Sequence, residues 1–189
     1  MIDALLLATV RVSTFDGGRA LTAGTGFFFS RGERLFLVTS RHVLVDAASG
    51  HHPNRISMVV HVDPVDLTRT ETVSLWLYKD GRSAWRQAQD SGGEIDVAAI
   101  ELDRASLPGA ATLHAFSDAH LPGPFEEVPL GAPLLVVGFP LGFFDTLLHL
   151  PVARQAIVAS AFGVRFQGQG YFLTDARMHR GASGAPVVL

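Results

Sequence analysis

The sequence predicts an all-β fold, and three observations carry that reading. Short apolar or alternating runs recur along the 189 residues, each bounded by Gly, Pro, Asp or Asn. Apolar residues nowhere repeat at helical spacing over a useful length. Hydrophobic residues make up 48% of the chain, enough for a packed core and against disorder.

Taken in order, strands are expected at Leu5–Ser13, Gly24–Ser30, Leu35–Thr39, Ile56–Val62, Val73–Tyr78 and Val97–Leu102. Val43–Ala48 has room for one helical turn. The stretch Asp103–Leu130, broken by Pro108-Gly109, Pro122-Gly123-Pro124 and Pro129, reads as a surface linker. Further strands follow at Pro133–Gly138, Arg154–Ala161 and Tyr171–Thr174, with Pro186–Leu189 opening another. This divides the chain into an N-terminal barrel over 1–105, a linker over 106–130 and a C-terminal unit over 131–189. About six short strands can close a barrel and three or four cannot, so the second barrel is expected to be cut short.

Composition excludes several function classes. A net charge of −3 and the absence of a long basic run argue against nucleic acid as a partner. No stretch approaches the ~20 apolar residues of a membrane span. Without cysteine there is no disulfide framework, thiolate metal site or cysteine nucleophile. That absence, with no basic opening of a signal peptide at Met1–Val10, places the protein in the cytoplasm as an expectation. His51-His52 with His61 and Asp63 can be drawn as a zinc site. Adjacent histidines on an extended segment face opposite ways, however, and no metal or organic cofactor is expected. Phe27-Phe28-Phe29 and Phe143-Phe144 are explained as core and loop packing.

Acyl transfer by serine needs a hydroxyl, an imidazole base, a carboxylate that fixes the imidazole, and N–H groups facing the developing oxyanion. Three segments offer one candidate each. In Leu37-Val38-Thr39-Ser40-Arg41-His42-Val43-Leu44, a buried strand runs into a bend that carries His42 to a strand end. A core or surface histidine without function fits that segment equally well. Asp96 enters the apolar strand Val97–Leu102 after the glycine-rich turn Asp90–Gly93, and an unpaired carboxylate there is costly. By itself it reads as readily as a turn cap, and Glu94 competes for its role. Gly181-Ala182-Ser183-Gly184-Ala185 presents a serine between small residues, with the Gly181 and Ser183 N–H groups placed for an oxyanion hole. Such a turn alone is common in plain loops.

Together these segments resemble the trypsin-like, two-barrel serine peptidases, and especially the bacterial HtrA (Deg) branch. Thr39-Ser40-Arg41-His42-Val43 is similar to that branch's Thr-Asn-Asn-His-Val, and Asp96-Val97-Ala98 to its Asp-Ile-Ala. Thr174-Asp175-Ala176 leading to Gly181–Ala185 resembles its Thr-Asp-Ala and Gly-Asn-Ser-Gly-Gly. Val136–Gly142 and Ala156–Ser160 resemble its Gly-Asn-Pro-Phe-Gly turn and its Gly-Ile-Val-Ser strand. The resemblance runs from about Gly24 to the last residue. It implies a chymotrypsin-fold serine endopeptidase with His42 as general base, Asp96 as its orienter, Ser183 as nucleophile and a protein or peptide as substrate. It also places Arg177, Met178 and Arg180 near the primary substrate pocket.

Two residues depart from the family pattern. Ala182 replaces the Asp or Asn that precedes the nucleophile, which argues against activation by a freed N-terminus. Ala185 replaces a glycine and adds a methyl where the backbone packs closely. In the family, strands after the serine wall the pocket. A C-terminal domain or a partner strand is therefore expected to complete the second barrel. The rival readings are a catalytically silent scaffold that binds a protein partner, and an esterase on the same site.

Overall fold

The computed structural model describes residues 2–123 and 128–189. A helix α1 (Ala4–Ala8) leads into β1 (Thr9–Asp16), which pairs with the long β2 (Arg19–Arg31), and β3 (Arg34–Thr39) returns antiparallel along it. Helix α2 (Arg41–Leu44) follows, then β4 (Arg55–His61), β5 (Thr70–Trp76), the small hairpin β6 (Tyr78–Lys79) and β7 (Arg82–Ser83), β8 (Trp85–Asp90) and β9 (Gly93–Leu102). The connection to the second half carries β10 (Phe116–Ser117). That half holds β11 (Pro133–Gly138), β12 (Val152–Ile157) and β13 (Val187–Val188). Four of the residues expected in the linker, 124–127, lie outside the described ones.

Apart from the separate β6-β7 hairpin, the strands of the first half form one sheet in the order β5-β4-β1-β2-β3-β9-β8, with β10 parallel to β2. The two ends of this order meet where Ala84 N–H donates to Leu77 O at 2.9 Å. Alternation along β1, β3 and β9 turns Val10, Val12, Leu35, Leu37, Ala98, Ile100 and Leu102 inward. They pack with Phe28, Leu44, Ile56 and Met58 into one core. A second, separate cluster of Val128, Leu134, Val136, Ala156 and Val158 underlies the three-stranded sheet β12-β11-β13. Between the two lies an open apolar groove of about 790 Å³, walled by Phe27 and Phe29 on one side and Leu134, Val187 and Leu189 on the other. Among the described residues no helix is long and apolar enough to cross a membrane.

Several elements differ from the expected ones for physical reasons. The run Leu5–Ser13 becomes strand only at Thr9, because the Asp3 carboxylate accepts from Leu5 N–H at 2.9 Å and caps a helical turn before it. The sequence does not predict strand β8: its Trp-Arg-Gln-Ala-Gln-Asp run is mostly exposed, and beyond Trp85, which packs on the core, β9 holds it through the ladder. Tyr171–Thr174 is not a strand. Its strand-like pairing is limited to the isolated bridge Val158 to Thr174 and the bond from Ala159 N–H to Leu173 O, with Tyr171 and Leu173 exposed. The helical turn falls at Arg41–Leu44, earlier than Val43–Ala48.

Candidate active site

His42, Asp96 and Ser183 are each delivered by an element whose packing fixes them. Strand β3 ends at Thr39, and burial of Val43 and Leu44 in the core pins α2 so that His42 projects outward. Asp96 shares a strand face with Ala98, Ile100 and Leu102. Pairing of β9 with β3 ends at Ala98 opposite Thr39, so Asp96 emerges just beyond the core and beside α2. Ser183 stands in the loop between Gly181, with φ 90°, and Gly184, with φ 85°. A Cβ on Gly184 would overlap the Thr25 carbonyl oxygen and the Thr39 hydroxyl, so only glycine lets the loop lie this close to β2 and β3.

These elements bring His42, Asp96 and Ser183 into one hydrogen-bonded chain. Asp96 Oδ2 lies 2.6 Å from His42 Nδ1, and its Oδ1 accepts from the His42 backbone N–H at 3.0 Å. A carboxylate only accepts, so Nδ1 carries the ring proton and Nε2 presents a lone pair. Ser183 Oγ lies 2.8 Å from that Nε2 and donates to it. The competing carboxylate, Glu94, turns away and faces Arg41 at 3.9 Å. Asp96 was expected to need a partner because of burial. Its side chain is in fact 55% exposed and His42 45%, so the pairing is held by geometry and two hydrogen bonds, not by exclusion from water.

The N–H groups of Gly181 and Ser183 have no protein acceptor among the described residues. Their directions follow from the neighbouring carbonyls, since C=O and N–H point opposite ways across a trans peptide. Arg180 O accepts from Leu141 N–H at 2.5 Å, which aims the Gly181 N–H away from Leu141. Ala182 O accepts from Ala185 N–H at 2.9 Å, which likewise frees the Ser183 N–H. Gly181 admits no side chain, because a Cβ there would overlap Phe139 O. The extra methyl of Ala185 is accommodated because the residue facing it is Gly138, where an added Cβ would come within 3.2 Å of it.

A polar cleft of about 770 Å³ opens on this centre, lined by His42, Gly181, Ser183, Arg180, Asp46 and His51. The Ser49 hydroxyl is the main cause that holds the Asp46 carboxyl below the usual range. Desolvation opposes it, and the Ala48 and Ser49 N–H groups add to it. The three residues expected at a substrate pocket are not brought together. Arg180 lines the cleft, while Arg177 and Met178 lie against a separate cavity of about 20 Å³ beside Ala182, Gly138 and Arg154. A void of that size holds about one water and no side chain. The histidines weighed for zinc are engaged singly: His51 Nε2 donates to Val43 O at 3.0 Å and His61 Nε2 to Leu148 O at 2.7 Å. No set of three ligating side chains converges among the described residues.

A family model described as the trypsin-like peptidase domain matches residues 24–189. The chain belongs to that family. No curated protein matches this peptidase domain. Among solved structures it is similar to an HtrA-type protease, AlgW, solved with a tripeptide: 17% identity, TM-score 0.58, covering 97% of this chain and 47% of that one. It is also similar to the serine endoprotease from Yersinia pestis, at 18% identity and TM-score 0.55, covering 97% and 50%. At these identities the likeness establishes the trypsin-like fold. The peptidase domain spans about half the length of each of these structures.

Sequence reasoning singled out His42, Asp96 and Ser183, which the structure brings together, but missed Thr25, which contacts both Gly181 and Ser183. The available signal was Gly24-Thr25-Gly26: glycine weakens a strand, and two in one strand mark close approach of another backbone. A Cβ on Gly24 would meet Val43 Cγ2 at 2.8 Å and Ser183 O at 3.1 Å.

Proposed function

We propose that this domain is a serine endopeptidase that hydrolyses peptide bonds through an acyl-enzyme. The observation that carries the reading is the continuous chain Asp96–His42–Ser183, with contacts of 2.6 and 2.8 Å. Ser183 Oγ attacks the substrate carbonyl carbon as its proton passes to His42 Nε2. Charge then gathers on the carbonyl oxygen, and the Gly181 and Ser183 N–H groups stabilise it. Asp96 holds the imidazole in the tautomer that can accept and stabilises the imidazolium that results. His42 returns the proton to the leaving amine, whose departure leaves the acyl group on Ser183. Water, deprotonated by the same imidazole, then releases the acyl group. No metal or organic cofactor enters any step.

The substrate is a protein or peptide laid across the cleft, with Arg180 beside the reacting carbonyl. Met178, 55% exposed, offers an apolar contact, and Arg177 a cationic one. In this reading residues 1–105 supply His42 and Asp96, and 131–189 supply Ser183. The apolar groove receives a further strand from a C-terminal domain or a partner chain, which its Phe27, Phe29 and Val187 lining supports.

The test is covalent labelling by a fluorophosphonate. Wild-type protein is expected to gain one adduct on Ser183, and Ser183→Ala none, with loss of turnover of about 10⁶-fold. Labelling of Ser183→Ala at the wild-type rate, or no adduct on folded wild type, refutes the assignment.

A further inference from the structure

Thr25 is fully buried on β2, and each of its polar atoms is committed. Its N–H donates to Ser183 O at 2.8 Å, and its carbonyl accepts from the Thr39 hydroxyl at 2.6 Å. Its own hydroxyl has one proton and donates it to Gly181 O at 2.7 Å. The same oxygen accepts from Phe139 N–H at 3.1 Å. One side chain of the first sheet thus joins two segments that lie 114 and 156 residues further along the chain.

Those two segments are the ones that aim the Gly181 N–H. Leu141 N–H sets the Arg180–Gly181 peptide plane by holding Arg180 O, and Leu141 follows Phe139 in a short turn at an unfavoured φ of 55°. The Thr25 hydroxyl anchors the start of that turn through Phe139 and fixes the opposite side of Gly181 through its carbonyl. Glycine at φ 90° has wide conformational freedom, so the plane needs restraint on both sides.

We propose that the Thr25 hydroxyl is a positioning group that holds the Gly181 peptide in its oxyanion-facing orientation. The inference rests on the serine-hydrolase reading of Ser183. Thr25 touches no reacting atom; it acts through Gly181 and Phe139. Replacing the hydroxyl by a methyl preserves shape but leaves Gly181 O and Phe139 N–H without their partner, and the loop is free to turn its N–H away.

The experiment compares wild type, Thr25→Val, Thr25→Ser and Thr25→Cys by fluorophosphonate labelling rate and by the ¹H–¹⁵N amide signals of Gly181 and Phe139. Loss of one oxyanion donor costs about 10²–10³-fold, and misaiming it is expected to slow labelling in Thr25→Val by about 10–100-fold. Thr25→Ser should return to within about threefold of wild type, and Thr25→Cys, a weak donor, should fall between. The Gly181 and Phe139 signals should move in Thr25→Val and return in Thr25→Ser. Folded Thr25→Val labelling as fast as wild type overturns the inference and leaves the hydrolase reading intact. Should Thr25→Val not fold, wild-type labelling by Thr25→Cys overturns it. Should wild type itself not label, the hydrolase reading fails, and unmoved Gly181 and Phe139 signals in the variants overturn the positioning role separately.

Discussion

Gly184→Ala is expected to damage the peptidase domain more than the same substitution at another left-handed glycine. Gly32, in the turn between β2 and β3, has φ 58° and open space where a Cβ would be; Gly184 has φ 85° and is enclosed. A left-handed alanine costs about 1–2 kcal/mol at either place. At Gly184 the methyl also overlaps Thr25 O and Thr39 Oγ1 and comes within 2.9 Å of Ser40 N, so backbone must move. Such overpacking adds about 1–3 kcal/mol. For a chain of this size each kcal/mol shifts Tm by about 2–4 °C. Gly184→Ala should therefore melt about 2–12 °C below Gly32→Ala.

Thermal unfolding of the two variants side by side, followed by circular dichroism, reads this difference, because the shared dihedral cost cancels. A second readout localises the damage. Ser183 precedes Gly184, so the displaced loop should slow fluorophosphonate labelling, whereas Gly32→Ala should label at the wild-type rate. Equal melting of the two variants would show that the loop yields without resistance, and would refute the argument that glycine is needed there for space.

Asp96→Asn should keep the three side chains in place yet slow labelling by roughly 10⁴-fold, because an amide can stabilise the wrong imidazole tautomer; a loss under tenfold would remove Asp96 from the mechanism. The Asp90–Arg165 pair, bidentate at 3.0 Å, ties the β8–β9 hairpin that precedes Asp96 to the loop of the second half. Arg165 is the main cause that holds the Asp90 carboxyl below its usual 3.8, with Gly92 N–H second. A depressed carboxylate stabilises the fold above its unfolded value and loses that contribution as pH falls through its folded value. The stability gap between wild type and Asp90→Asn in urea should then be constant above about pH 5 and close below about pH 3.8; a gap unchanged at low pH would argue against the pair.

The legible part of the fold was the part where burial and alternation agree. Strand β11 matched its expected bounds because Leu134, Val136 and Val137 leave no other face to bury. His42 and Asp96 were legible because each polar residue interrupts or borders an apolar run, which is what a strand end opening on a cleft looks like. Strand β8 was illegible for the opposite reason: beyond Trp85 it is held by backbone pairing with β9, and side-chain polarity carries no record of that. Tyr171–Thr174 had the composition of a strand and no neighbour to pair with beyond one bridge. The three residues expected at a substrate pocket do not line one cavity. Arg177, Met178 and Arg180 are close in sequence, but the turn in which Ala182 N–H bonds His179 O sends them to different cavities.

The Gly181–Ala185 loop follows the same logic at finer scale. Within Gly181–Ala185 the bond from Ala185 N–H to Ala182 O turns the Ser183 N–H, but glycine leaves the Gly181 N–H open to many backbone paths. The remaining restraint comes from outside the loop: Leu141 N–H on Arg180 O, Thr25 Oγ on Gly181 O and Thr25 N–H on Ser183 O. Two of the three come from β2, in the half of the chain that also supplies His42 and Asp96. The half of the chain that carries His42 and Asp96 therefore also restrains the loop that carries Ser183. Substitutions in the Gly24-Thr25-Gly26 segment are accordingly expected to act on chemistry as strongly as on stability.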